Sequence, residues 1–112
     1  MSILRELTGI LTPILPVETG VFSGKAPDEY IVITPMSEDY ELHADNAPLF
    51  ETQEARLSVF SKGNYQRRKN QIVKALLAAD ITVTGRRYIG HESDTGYHHY
   101  SIDAEKHYET ED

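Results

Sequence analysis

The sequence predicts an α+β domain: a largely antiparallel sheet of four or five strands, with one long helix packed on a face and a short N-terminal helix. Three observations predict it. Apolar residues recur at helical spacing in 2–12 and 64–79. They alternate, or run on without a break, over strand lengths in 29–34, 55–61 and 81–104. The order is helix, strand, acidic loop, strand, helix, hairpin, not a regular alternation of strands and helices. At 112 residues the chain suits one domain, 1–112, large enough to bury a core without staples.

Each element has a local reason. Ser2 can cap a helix whose apolar positions Ile3, Leu4, Leu7, Ile10 and Leu11 share a face, and Pro13 stops it. A Pro- and Gly-rich connection containing Val21 and Phe22 leads to "EYIVIT", with Tyr30, Val32 and Thr34 on one side and Ile31 and Ile33 on the other. That reads as a central strand covered on both faces. Residues 36–54 are acidic and aperiodic and read as a long loop with a short strand at 40–43. "ARLSVFS" sets Leu57 and Val59 against Arg56, Ser58 and Phe60, the period of a half-buried strand. In the main helix, 64–79, Tyr65, Ile72, Val73, Leu76 and Leu77 face inward and Arg67, Arg68, Asn70, Gln71 and Lys74 outward. Its first turn is basic, which opposes the helix dipole by about 0.3–1 kcal/mol per exposed cation. A hairpin, 81–104, and a polar tail expected to fray, 105–112, complete the chain.

The hairpin turn contains Asp94-Thr95-Gly96, the tripeptide of aspartic proteases. That chemistry needs two carboxylates sharing a proton in an apolar site, and here the flanks are Gly90-His91-Glu92-Ser93 and Tyr97. The same residues make a turn in which Gly96 takes the positive φ and Ser93 faces Tyr97, with Glu92 paired to His98, His91 to His99 and Tyr88 to Ile102. His98 and His99 then point to opposite faces and cannot share a metal, so the histidines read as solvated strand positions and no metal is expected. "GVFSGKA" fails as a phosphate loop: three residues separate Gly20 from Gly24, and Ala26 stands where Ser or Thr is required. No cofactor and no reaction are indicated. The absence of Cys excludes disulfides and thiolate metal sites and suits a reducing compartment. The N-terminal stretch reads as neither a signal peptide nor a membrane span.

Net charge is -7, but its distribution is more informative. Residues 1–55 hold two basic and ten acidic side chains, 56–87 eight basic and one acidic, and 88–112 one basic and seven acidic. A basic patch on an acidic molecule suits contact with a phosphate-bearing partner or with the acidic patch of another copy; the plain alternative is a solvated helix face.

"EYIVIT", "YELHADN", "ARLSVFSKGNYQRRKNQIVKALLAADI" and "DTGYHHYSID", spanning about residues 28–103, together resemble the small tail-completion proteins (tail terminators, or head-to-tail joining proteins) of long-tailed phages and prophages. The resemblance implies a non-enzymatic α+β subunit forming a ring, typically a hexamer, that caps the tail tube and docks it to the head connector. DNA would only pass through the pore, and the protein would occupy the host cytoplasm during assembly and then the virion tail. A closed ring needs unlike faces in contact. The expected interface sets Arg67, Arg68, Lys69, Lys74, Arg86 and Arg87 against Glu38, Asp39, Glu41 and Asp45 of a neighbouring copy or a stacked tail protein. The competing reading is a small nucleic-acid-binding module using helix 64–79 with Tyr65, Tyr88 and His91; an acidic chain without base-stacking motifs disfavours it.

Overall fold

The computed structural model describes residues 2–19, 26–42 and 48–109. In chain order the elements are α1 (Ile3–Leu11), β1 (Val17–Thr19), β2 (Glu29–Leu42), β3 (Pro48–Ser61), α2 (Tyr65–Ala78), β4 (Thr82–His91) and β5 (His98–Glu109). The five strands form one sheet in the order β1-β2-β3-β5-β4, antiparallel except for β1, which runs parallel to β2 through Val17↔Ile31 to Thr19↔Ile33. The middle strand is therefore β3, and the strand expected at the centre, 29–34, lies one place out.

Both helices lie on one face. Ile31, Ile33, Ala55, Leu57, Val59, Ile102 and Ala104 share that face through the strand register, and they form a continuous core with Ile3, Leu7 and Leu11 of α1 and Ile72 and Leu76 of α2. Burial of such side chains stabilises by about 1.5–3 kcal/mol each. Leu77, expected inward, is 58% exposed, because it stands a further 100° round the helix from Leu76. No helix covers the opposite face among the described residues. Tyr30 and Phe60 stack there at 4.9 Å, and Tyr97 meets both edge-on. The two-sided cover expected of 29–34 is thus helices on one side and an aromatic row on the other.

The helix ends follow their sequence signals. Ser2 Oγ accepts from Arg5 N at 3.2 Å, and Asn64 Oδ1 accepts from Arg67 N at 3.1 Å. After α2, Asp80 takes a left-handed φ of 60°, and Ile81 N donates to Leu76 O at 2.9 Å, closing the last turn as Ile81 enters the core.

The largest departure from expectation is at 36–54. Its described residues, 36–42 and 48–54, are strand: β2 and β3 continue through Ser37↔Glu54, Glu38↔Gln53 and Asp39↔Thr52 to Leu42↔Pro48, and 43–47 lie outside the described residues. Beyond the helices these strands form an arm, and the Cα atoms span 55 × 26 × 23 Å. The tail expected to fray also belongs to this arm. Residues 105–109 pair with β3 as far as Phe50↔Glu109, and Tyr108 is buried; 110–112 lie outside the described residues. Backbone ladders need no apolar alternation, so an acidic stretch with two half-solvated faces carries no strand period to read. The ladder slips twice, between Pro35 and Ser37, leaving Met36 as a bulge beside a residue with no N–H to donate, and again between Glu41 and Leu42. No helix among the described residues is long and apolar enough to cross a membrane.

Candidate assembly interface

The basic residues of α2 separate into two groups. Arg68, expected outward, is turned back onto the sheet. Its Nε and Nη2 both donate to Glu29 Oε1, at 3.1 and 3.0 Å, and its Nη1 donates to Gln71 Oε1 at 3.0 Å. Ser61 Oγ donates to Glu29 Oε2 at 2.7 Å. The hydrogen bonds from Arg68 hold the Glu29 carboxyl below the usual glutamate range, against an opposing effect of burial. Arg68 thus pins the start of α2 to the starts of β2 and the helix-facing sheet. A pair 39 residues apart leaves no local sequence signal.

Arg67 and Lys74 are exposed on α2, and Arg86 and Arg87 are exposed on β4. None of these four forms an ion pair among the described residues. Lys69 Nζ lies 5.5 Å from the centroid of the Tyr100 ring, a cation–π contact within the chain. Of the expected acidic partners, Glu38 is exposed. Asp39 and Glu41 occupy β2 positions opposite Thr52 and Phe50, and Asp45 lies outside the described residues. The sheet order places β3 and β5 between acidic β2 and basic β4. Three strand spacings, about 14 Å, separate the two charged strands, so they do not neutralise each other within one chain.

At the hairpin tip, Glu92 N donates to Tyr97 O at 2.8 Å and Gly96 N donates to Glu92 O at 2.7 Å. The loop is thus Ser93 to Gly96, one residue longer than expected, and the register shifts with it: His91 pairs with His98 and Gly90 with His99, and a bulge at Ile89 then brings Tyr88 opposite Tyr100. Gly96 has φ 85°, the left-handed value the turn needs. Asp94 is exposed, and its Oδ1 accepts from Thr95 N at 3.1 Å, a local turn contact.

Of the three hairpin histidines only His91 is exposed, as expected; His98 and His99 are half-buried. His98 stacks near Tyr65 at 5.0 Å and His91 at 4.5 Å on the helix-bearing face, while His99 stacks on Phe60 at 4.4 Å on the other. Burial holds His99 below the usual imidazole range. No group of three or more potential metal ligands occurs among the described residues. One feature was not anticipated: exposed apolar side chains on β4, Tyr88 at 42% and Ile89 at 46%, matched by Met36 at 45% on β2; two adjacent apolar residues that break strand alternation were its signal.

The sequence matches no protein-family model and no curated protein. In structure, the chain is similar to a chain from the virion of a native gene transfer agent particle, with a TM-score of 0.50, 12% identity, and coverage of 93% of this chain and 84% of that one. At that identity, the likeness establishes a shared α+β fold.

Proposed function

We propose that this protein is a structural component of a phage-like virion, and within it a tail-completion subunit. Copies close into a ring, six in number, that caps the tail tube and docks it to the head connector. It assembles in the host cytoplasm and remains in the virion tail. The observation that carries this reading is a fold shared along 93% of the chain with a component of a gene transfer agent virion. The charge layout supports it, because the exposed Arg86 and Arg87 of β4 and the acids of β2 lie towards opposite edges of one sheet, an arrangement suited to head-to-tail contacts in a ring. Passing DNA favours an acidic lumen, since a basic one would hold phosphates back.

The nucleic-acid reading has less to stand on in three dimensions. Arg68 is committed to Glu29, and Tyr65 and Tyr88 stack against one another at 5.1 Å, which leaves fewer free cations and ring faces on 64–79.

Negative-stain images of tail tubes incubated with the purified protein test the proposal. A ring at one tube end is the expected result; bare ends at low and physiological salt would count against it.

A further inference from the structure

The sheet has two open edges of unlike charge. On the outer side of β2, β1 pairs only with Ile31, Val32 and Ile33, so 34–42 has no strand beside it among the described residues. The outer side of β4, Thr82–His91, likewise has none. A long uncovered edge with exposed apolar side chains is a template for another strand. On β4 that edge carries Arg86, Arg87, Tyr88 and Ile89; on β2 it carries Met36, Glu38, Asp39 and Glu41.

We propose that copies join edge to edge, the outer edge of β4 in one copy pairing antiparallel with 36–42 of β2 in the next. This inference rests on the ring proposed above. Strand direction permits it: β2 and β5 run one way, β3 and β4 the other, so β4 meets the next β2 antiparallel when copies are similarly oriented. The second copy is favoured over an unrelated strand because each edge supplies what the other lacks. Opposite residues in such a ladder share a face. Arg86 pairs with Ile102 and Glu38 with Gln53, which places both on the helix-bearing face, so Arg86 can stand opposite Glu38. That register also sets exposed Tyr88 against exposed Met36, and, because Thr84 is a bulge in β4, it brings Thr82 level with Glu41 near the ends of both strands.

The register implies closure. Within one copy Thr82 is level with Ser37, through Glu105 and Glu54. At the joint it is level with Glu41, four residues further along. Four residues of shift over four strands, about 13 Å against about 19 Å, tilts the strands by about 35°, at the lower end of the range of closed sheets. β1 sets this stagger by blocking 31–33.

The chain contains no Cys, which makes cross-linking clean. In Arg86→Cys/Glu38→Cys, oxidation or a short bis-maleimide should give a ladder of covalent oligomers ending at the ring, while each single variant gives none. Arg86→Glu and Glu38→Arg should each weaken self-association by about tenfold, and the double swap should restore it. Monomers only, in correctly folded double-cysteine protein, would overturn the inference and leave Arg86 and Arg87 as charges that guard a bare edge. Rings on tail tubes without covalent joins would overturn edge pairing but not the ring. A covalent ladder from protein that caps no tube would support edge pairing and defeat the proposed function.

Discussion

The helix-covered body and the arm are built from the same three strands by different physics. In the body, Leu57, Val59 and Ile102 are fully buried beneath Leu7, Ile72 and Leu76, and apolar burial holds the layers together. In the arm, β2, β3 and β5 continue past the helices, and a sheet rich in Glu is held by its ladders and a few side-chain bonds. Thr52 Oγ1 lies 2.8 Å from His107 Nδ1, and Lys106 Nζ donates to Glu6 Oε2 at 2.9 Å, tying the arm's root to α1. The difference separates stability from display: the body sets the free energy of folding, and the arm and the β4 edge present charge.

Truncating a core side chain tests the body most severely. Leu57→Ala should destabilise by about 2–5 kcal/mol in denaturant unfolding, through lost burial and a residual cavity. A loss below about 1 kcal/mol would show that the sheet centre is not the stabilising region.

Next comes Arg68→Ala, which leaves the Glu29 carboxylate without its main donor at the junction of α2 and the sheet. It should cost about 1–3 kcal/mol at neutral pH. The pH dependence fixes the cause. Glu29 titrates below its unfolded value, so its stabilisation is complete above about 4.3 and is lost as pH falls through the lowered folded value. In Arg68→Ala that acid-side loss should shrink; an unchanged acid limb would mean the pair contributes little.

Turn strain is smaller. Gly96→Ala should cost about 1 kcal/mol, because an alanine is strained at the left-handed φ of 85°. A neutral result would mean that the loop rearranges.

The arm should respond least, and in the opposite direction. Glu54 and Glu105 stand directly opposite one another on neighbouring strands. Glu105→Lys should therefore stabilise by about 0.2–1 kcal/mol in thermal unfolding; destabilisation would show that the acidic pair has partners of its own.

Legibility in the sequence followed the same division. Where one face is buried, as in α1, 55–61 and the Ile72/Leu76 face of α2, periodicity identified the element and its inward residues. In the arm, a strand expressed only in backbone pairing left no period, so 36–54 read as a loop and 105–109 as a fraying end. The hairpin was legible in kind, with Gly96 at its turn, but not in register, because loops of three and four residues differ by a single hydrogen-bonded pair. For the candidate interface, charge blocks gave the residue types. They could not show that Arg68 is consumed by Glu29, or that β2 and β4 stand at separate sides of the sheet, since both depend on strand order.

Hydrogen exchange, measured on the protein free and bound to tail tubes, tests most directly whether these unlike sides are assembly surfaces. New protection confined to 34–42 and 82–91, over a body already slow to exchange, is the predicted outcome. No change in either strand, or protection confined to the exposed face of α2, would contradict it.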